Sequence, residues 1–216
     1  MSWQNIVSIA LYICGVVGLV CYSRMSPTYL RAFAWWIWAY ALGDIALYLF
    51  FKQVPNGLLV PIIYCILDPF GFLAYVYVLL LRPRPAPWLV RVAVSVFAGF
   101  LVFAVYQLAF TLENQTSANT SFLLRSVLVL FVVMFYFRKL IQSEQVIILL
   151  REPLFWIATP SLFYFAGNII ATGFFHQLYA HSNKLADALY LLNYILELVM
   201  YLLFALAFIL SVRKKD

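Results

Sequence analysis

The sequence predicts an all-α integral membrane protein, a seven-transmembrane-helix bundle with its N-terminus outside and its C-terminus cytoplasmic. Hydrophobic residues make up 66% of the 216 residues and charged residues only 10%, whereas about 25% of a typical soluble domain is charged. Seven apolar stretches each approach the roughly 20 helical residues that cross a hydrocarbon core. Basic residues gather on alternate connections between these stretches, and this predicts the orientation of the bundle.

The apolar stretches, numbered as spans 1 to 7, lie at 6–22, 32–51, 58–81, 89–110, 121–137, 153–174 and 185–212. Tryptophans support the boundaries, because an indole prefers the membrane interface, where its N–H stays hydrated and its ring contacts lipid. Trp35, Trp88 and Trp156 lie near the starts of spans 2, 4 and 6. The spans leave only short connections, so we predict a single membrane domain, 1–216.

Eleven of the fourteen Lys and Arg residues follow spans 1, 3, 5 and 7. They are Arg24, Arg31, Arg82, Arg84, Arg91, Arg138, Lys139, Arg151, Arg213, Lys214 and Lys215. Because positively charged connections stay cytoplasmic, these four connections are predicted to lie inside. Contact with anionic lipid accounts for the net charge of +6, and the spread of the charge does not predict a nucleic-acid partner.

Two cytoplasmic connections differ in composition. The segment 82–87 has proline at every second position, which excludes helix and predicts a stiff link between spans 1–3 and the remaining four. The segment 138–152 has neither glycine nor proline, so helix 5 is expected to continue into it and then follow the membrane interface. It is either a helical linker or the docking site of a cytoplasmic signalling partner.

Spans 2 and 6 carry similar motifs, Tyr-Ala-Leu-Gly-Asp-Ile at 40–45 and Tyr-Phe-Ala-Gly-Asn-Ile at 164–169. Looser counterparts follow in the next span of each half, Tyr64 and Asp68 in span 3 and Tyr190 and Asn193 in span 7. These matches predict a 3+1+3 parallel repeat with helix 4 as the linker. Parallel repeats of this kind occur in transporters.

Several polar side chains lie within the spans, where an ionisable group at the bilayer centre costs about 2.5–3.5 kcal/mol even on a lenient scale. The candidates are Asp44, Asp68, Arg125, Asn168, Asp187, Asn193 and Glu197. A helical rise of about 1.5 Å per residue places all of them in the outer half of the membrane. Polar residues placed at random along the spans would not concentrate in one half of the membrane.

Tyrosines accompany these polar residues at helical spacing, so each group shares one helix face. The stripes are Tyr40, Asp44 and Tyr48; Tyr64 and Asp68; Tyr164, Asn168 and Thr172; and Tyr190, Tyr194, Glu197 and Tyr201, with Asn193 beside the last. Lipid would not accept four such stripes, so they are expected to face a common interior cavity.

The predicted ligand-binding set is Tyr40, Asp44, Tyr64, Asp68, Arg125, Tyr164, Asn168, Asn193 and Glu197. The alternative is structural, with hydrogen bonds that hold helices together and contribute about 0.6–2 kcal/mol each. Arg125 is expected to pair with Asp68 or Glu197, or to extend its charge toward the outer surface. If Arg125 pairs with one carboxylate, at least one other remains without a cation.

Other chemistries find little support, and no cofactor, metal ligand or catalytic residue is predicted. His176 and His181 are expected in a solvated loop, and the polar segment 113–120 in another. Span 7 has no lysine at depth, which excludes a retinal protein. Phosphate-binding loops and Ser–His–Asp sets are absent from the sequence. Acid-pair catalysis within the predicted set stays open.

The segment 151–157, Arg-Glu-Pro-Leu-Phe-Trp-Ile, and the Tyr-Phe-Ala-Gly-Asn sequence at 164–168 resemble uncharacterised bacterial seven-transmembrane proteins. In those proteins a Pro-x-Phe-Trp-Ile element opens helix 6 and a Tyr-Phe-x-Gly element follows. Such proteins are often encoded beside sensor histidine kinases. The resemblance implies the bacterial inner membrane and a link to signalling, and it assigns no catalytic residue.

These observations predict a receptor-like or sensory membrane protein. Its outer-half pocket would take a small polar or cationic ligand, or protons, and a separate cytoplasmic partner would receive the signal. One alternative is a small-solute or cation transporter of the 3+1+3 plan, and another is a structural subunit of a membrane complex.

Overall fold

The computed structural model describes residues 3–25, 28–50, 59–81, 86–114, 119–142, 149–181 and 183–213. Near some helix ends, at 59–62, 111–114, 119–120, 174–181, 183, 186 and 213, the description covers the backbone only. Within these ranges the chain forms seven α-helices and no strand. They are α1 (Trp3–Tyr22), α2 (Thr28–Phe50), α3 (Leu59–Leu79), α4 (Pro87–Asn114), α5 (Asn119–Ile141), α6 (Pro153–His181) and α7 (Asn183–Arg213), with a short 3₁₀ helix at Leu149–Arg151.

Six of the described helices, all except α3, are long and apolar enough to cross a membrane. In α3 the described apolar stretch is shorter, Ile63–Leu79. The prediction of an all-α protein with several helices long and apolar enough to span a membrane is therefore confirmed.

Some helices run beyond the apolar spans. Helix α6 continues to His181 and α7 begins at Asn183, so the prediction of a loop around His176 and His181 is wrong. The reason is that no glycine or proline lies between 174 and 184. Hydropathy marks where the membrane ends, whereas a helix continues through polar residues that have adequate helix propensity.

The connections predicted between spans 3 and 4 and after span 5 are described only in part. Pro87 is the first residue of α4, a position where its missing N–H would have no helical partner, and 82–85 lie outside the described residues. Helix α5 continues past span 5 into the segment 138–152, as expected, and ends at Ile141, while 143–148 lie outside the described residues. The polar segment 113–120 is helical at both described ends, with 115–118 outside the description.

Six of the helices form a closed ring in the order α1, α2, α3, α5, α6, α7 and back to α1. Helix α4 lies outside this ring, against α3, and touches α5 only slightly. Gly18 near the end of α1 faces Phe208 near the end of α7 and Ala34 near the start of α2. We therefore name the two ends of the bundle the N-terminal end, where α1 begins, and the C-terminal end, where α7 finishes.

Aromatic rings fill the interior of the ring in its C-terminal half. The aromatic plug consists of Phe33, Tyr75, Phe165, Phe204 and Phe208, all buried, from α2, α3, α6 and α7. The Phe33 ring meets Tyr75 at 5.4 Å and Phe204 at 5.2 Å, and the Tyr75 ring meets Phe165 at 5.6 Å, all edge to face. This geometry is favourable for aromatic pairs beyond the area they bury.

Two glycines let neighbouring helices approach closely. A Cβ added at Gly43 of α2 would lie 2.7 Å from Cδ1 of Leu67 in α3, and a Cβ added at Gly167 of α6 would lie 2.7 Å from Cδ1 of Leu196 in α7. Both glycines hold the same place in the similar motifs at 40–45 and 164–169. The pairs α2/α3 and α6/α7 thus share a packing contact of the small-residue kind common in membranes.

Gly71 makes the tightest of the described contacts with a rigid group, and Gly71→Ala is expected to destabilise the bundle. The new methyl group would lie 2.9 Å from Cζ2 and 3.0 Å from Nε1 of the Trp36 indole, and overpacking of this kind costs about 1–3 kcal/mol. The control is Gly99→Ala in α4, where nothing lies within 4 Å. Thermal unfolding in detergent followed by circular dichroism should show a lowered Tm for Gly71→Ala alone. Equal Tm values for the two variants would contradict this packing.

Candidate functional site

A buried ion pair joins α3 to α5. Nη1 of Arg125 donates a hydrogen bond to Oδ1 of Asp68 at 2.6 Å, and the two side chains are 4% and 0% exposed. Of the partners that the sequence left open for Arg125, the structure therefore selects Asp68. Such a pair holds helices together only while both charges are present, because either charge alone would be buried without compensation.

Aromatic rings surround the arginine. The guanidinium carbon of Arg125 lies 4.5 Å from the ring centre of Phe122, 5.7 Å from that of Tyr40 and 5.8 Å from that of Phe165. A cation close to aromatic faces is attracted by their negative centres. We call Asp68 and these three rings the arginine cage.

The ion pair uses only part of its hydrogen-bonding capacity within the described structure. Oδ2 of Asp68 and Nε of Arg125 are buried and have no described hydrogen-bond partner. A guanidinium and a carboxylate can form two parallel hydrogen bonds, but here a single contact joins them. The pair is therefore not locked in its strongest geometry.

A network of amides and hydroxyls links α5, α6 and α7. Nδ2 of Asn168 donates to Oγ of Ser126 at 2.7 Å, while Oδ1 of Asn168 accepts from Thr172 at 3.3 Å and from Nδ2 of Asn193 at 3.4 Å. Asn168 and Asn193 were both predicted site residues, and the structure brings them together. Ser126 was not predicted as a site residue, although it directly follows Arg125 in the sequence.

Glu197 lies in a different environment from Asp68. The Tyr201 hydroxyl donates to Oε1 of Glu197 at 3.3 Å. Tyr64 of α3, Tyr164 of α6 and Arg125 of α5 also lie within electrostatic range of this carboxylate. Among the residues with described side chains, no cationic group comes within ion-pair distance of Glu197.

Asp44 lies at the edge of this group and contacts α1. The Tyr12 hydroxyl donates to Oδ2 of Asp44 at 2.8 Å, and Asp44 is within electrostatic range of Tyr64 and Glu197. Tyr12 is a contributor that the sequence analysis missed. Its signal is a tyrosine hydroxyl within span 1 at a similar helical depth.

The interior becomes accessible toward the N-terminal end. Along the inward face of α7, Phe208, Phe204 and Tyr201 are buried, whereas Glu197 and Asn193 are partly accessible. The inward face of α2 follows the same course, from buried Tyr40 to partly accessible Asp44. Asp44, Asn193 and Glu197 are thus partly accessible above the aromatic plug, whereas Asp68, Arg125 and Asn168 are buried.

One of the predicted stripe residues does not belong to this interior. Tyr48 is 84% exposed, so the expectation that it faces inward is wrong. Tyr190 lies near the N-terminal end of α7, where its ring packs against Tyr194. A helix rotates about 100° per residue, so four-residue steps drift around the axis, and residues far along a stripe leave the shared face. Asp187, placed near the outer surface by the sequence, is exposed.

Several of the predicted site residues are in direct contact. Arg125 pairs with Asp68 and lies beside the Tyr40 ring, which meets the Tyr64 ring at 5.9 Å. Asn168 and Asn193 are hydrogen-bonded to each other. The side chains at 51–62, 111–120 and 174–183 lie outside the described part of the structure. In the described part of the chain, no group of three or more His, Cys, Asp or Glu side chains is arranged to hold a metal ion.

A separate groove of about 560 Å³ lies between α2 and α3. Its lining is almost entirely apolar: Ala32, Trp35, Trp36, Ala39, Leu67, Phe70, Leu73, Ala74, Tyr77 and Leu81. None of the predicted site residues lines it.

Comparisons with known protein families, with curated proteins and with solved structures find no significant match for this chain.

Proposed function

We propose that this chain is a receptor-like, sensory multi-pass membrane protein whose polar interior binds a small cationic ligand. The observation that carries the proposal is the division of the interior into an accessible acidic part and a sealed aromatic part. Three carboxylates, Asp44, Asp68 and Glu197, accompany one cation, Arg125, in this region, where Asp44 and Glu197 are partly accessible and the Asp68–Arg125 pair is buried. The aromatic plug closes the other half, so a ligand that enters can be detected without being passed through.

The orientation of the bundle is part of this proposal. The N-terminal end, with the acidic interior, faces outward, because the basic connections collect at the other end. We infer the bacterial inner membrane from the resemblance of the 151–168 region to bacterial seven-transmembrane proteins encoded beside sensor kinases. The signalling partner is then a separate cytoplasmic protein.

The route to that partner is short, because the helices that hold the site also reach the cytoplasmic segment. Helix α5 carries Arg125 and ends at Ile141, and α6 carries Asn168 and begins directly after the 3₁₀ helix. The Trp156 indole N–H donates to the carbonyl of Leu150 at 3.0 Å and ties the 3₁₀ helix to α6. A shift between α5 and α6 at the site would therefore move the segment 138–152.

A spin-label experiment tests this coupling without knowledge of the ligand. Labels on Gln142→Cys and Leu150→Cys, in a background with Cys14, Cys21 and Cys65 changed to alanine, report the distance between the end of α5 and the start of α6. Glu197→Gln removes a charge from the site and should shift this distance distribution. The control, Asp187→Asn, removes an exposed charge from the same helix and should leave it unchanged. A distribution that is identical in all three proteins would overturn the sensory proposal.

A transporter is the second candidate, and the matched contacts of α2/α3 and α6/α7 favour it. Leu67 and Leu196, which pack on the two equivalent glycines, each precede a carboxylate, Asp68 and Glu197. We therefore align Glu197, rather than Asn193, with Asp68 in the proposed 3+1+3 repeat. Two such halves could rock around the acids between them. Uptake of radiolabelled tetramethylammonium into proteoliposomes, abolished by Glu197→Gln, would favour this candidate, whereas a sensor should show no uptake.

A further inference from the structure

We propose that the apolar groove between α2 and α3 binds an anionic phospholipid, with one acyl chain along the groove and the headgroup phosphate on Arg31. The inference concerns a second site and does not depend on the sensory function proposed for the polar interior. Its basis is an arginine held in place beside the end of the groove that lies toward the C-terminal end of the bundle.

The groove is long enough for one acyl chain. Its lining extends from Leu67 to Leu81 along α3 and from Ala32 to Ala39 along α2, which correspond to about 21 Å and about 10 Å at the helical rise. A single leaflet contributes about 15 Å to a hydrocarbon core of about 30 Å. The groove, with a volume of about 560 Å³, therefore follows the depth of one leaflet.

The groove is open to the outside of the bundle and closed toward its interior. Its floor includes the Trp36 ring, which packs on Phe33 at 5.4 Å and on Tyr75 at 5.6 Å, two rings of the aromatic plug. Two other lining residues, Trp35 and Phe70, are 60% and 50% exposed. An apolar chain in the surrounding lipid can therefore enter the groove, while the polar interior stays separate from it.

The register of α2 and α3 places polar groups at one end of the groove. The two helices run antiparallel, and Gly71 of α3 faces the Trp36 indole of α2. Arg31, five residues before Trp36, is therefore level with Val76, five residues after Gly71, and with the adjacent Tyr77, which lines the groove. A tyrosine and an arginine at one level are typical of the headgroup region of a membrane.

Arg31 is held in place beside the groove. Its Nε and Nη2 both donate to the carbonyl of Met25, at 3.2 and 2.9 Å, and its guanidinium carbon lies 5.6 Å from the centre of the Tyr22 ring. The Tyr22 hydroxyl in turn accepts from Nε1 of Trp35 at 3.2 Å, and Trp35 lines the groove. The remaining nitrogen, Nη1, has two N–H groups and no hydrogen bond to a described residue.

The charge at this end of the groove complements a phosphate. Arg24, one residue before Met25, is exposed and adds a second positive charge. Among the described residues, no carboxylate lies within ion-pair distance of Arg24 or Arg31. A guanidinium donates strong, charge-assisted hydrogen bonds to phosphate oxygens. An apolar groove that ends at two such groups matches a molecule with a long apolar chain and an anionic headgroup.

A second copy of the chain is a less suitable occupant of the groove. Two copies inserted in the same orientation would form a symmetric pair about an axis along the membrane normal. Contact through this groove would then bring Arg24 and Arg31 of one copy toward the same residues of the other. The like charges would repel each other, whereas an anionic lipid neutralises them.

Dioleoyl phosphatidylglycerol is the probe that tests the inference, and dioleoyl phosphatidylcholine, with the same chains and no net charge, is the control. Native mass spectrometry of the full chain in detergent, at increasing lipid concentration, gives the Kd of the first bound lipid. We expect tighter binding of phosphatidylglycerol. Arg31→Gln should weaken it by about 10- to 100-fold, the loss expected for a charged hydrogen bond. Arg91→Gln, which removes an exposed arginine near the start of α4, should weaken it by less than about 5-fold.

A second pair of variants keeps the test decisive if Arg31→Gln folds poorly. Ala39→Phe places a ring in the groove, away from the arginines, and should weaken binding of both lipids by about 5- to 150-fold, because the ring and the chain would compete for one space. Ala98→Phe adds the same ring to an exposed position of α4 and should leave binding unchanged.

Three results would overturn the inference. The first is equal affinity for the two lipids, and the second is a loss of binding that Arg91→Gln or Ala98→Phe reproduces. The third is a dimer in the same spectra that Ala39→Phe dissociates, since the groove would then hold a second copy. The spin-label distances of the sensory proposal do not involve this groove, so the two proposals fail separately.

Discussion

Replacing Arg125 with methionine is expected to lower the free energy of unfolding by about 3–5 kcal/mol, because Asp68 would remain buried without its cation. Asp68 is 0% exposed, and Oδ1 has its described hydrogen bond from Arg125. A methionine side chain occupies much of the volume of the arginine stem. The loss of stability would therefore come from the missing charge and not from a cavity. Unfolding in mixed micelles of increasing denaturing detergent, followed by circular dichroism, gives the measurement.

Two further variants separate the pair from general effects of losing a charge. Arg91→Met removes an exposed arginine from α4 and should change stability by less than about 0.5 kcal/mol. The double variant Arg125→Met with Asp68→Leu removes both charges and should regain most of the lost stability, because a buried pair replaced by apolar groups is often neutral. If the double variant were as unstable as the sum of both single variants, the ion pair would not be the cause.

Removing one ring of the aromatic plug should have a comparable effect. Phe204→Ala is expected to cost about 3–5 kcal/mol, the usual range for a buried phenylalanine. Phe204 is 0% exposed and its ring meets Phe33 at 5.2 Å and Tyr201 at 6.3 Å. The same detergent unfolding assay applies, and added small aromatic compounds that fill the cavity should restore part of the loss.

The matched control for the plug is Phe131→Ala in α5, where the side chain is 66% exposed. Lipid or detergent tails contact this ring, so its removal leaves no sealed cavity and should change stability little. If the two phenylalanine variants lost equal stability, the C-terminal half of the interior would not be closed by the aromatic plug. The transporter candidate would then gain support over a sensor.

The candidate site shows how far sequence reasoning reaches in a membrane protein. Asp68, Arg125 and Glu197 were predicted to meet because each would be unfavourable in lipid, and the structure places them in one region. The same reasoning did not identify Tyr12 or Ser126, since a single hydroxyl in a span is tolerated at little energetic cost. It also assigned Tyr48 to the interior, whereas in the structure Tyr48 lies on the surface.

Helix ends were a further point of difference. The apolar spans predicted where lipid begins, but α6 runs past the end of span 6 to His181. The physical reason is that hydropathy and helix formation respond to different properties. Backbone hydrogen bonding continues through polar residues such as His176, because helix propensity does not depend on hydropathy.

The all-α class, the membrane-spanning character and the polar residues of the interior follow from the sequence by itself, because the bilayer penalises both unpaired backbone groups and exposed charges. The tertiary structure decided the order of the helices in the ring, the position of α4 outside it, the choice of Asp68 over Glu197 as the partner of Arg125, and the aromatic plug. Periodicity states which residues share a face of one helix, but it does not say which helix lies opposite that face. Only the packed bundle brings residues 57 positions apart, such as Asp68 and Arg125, into contact.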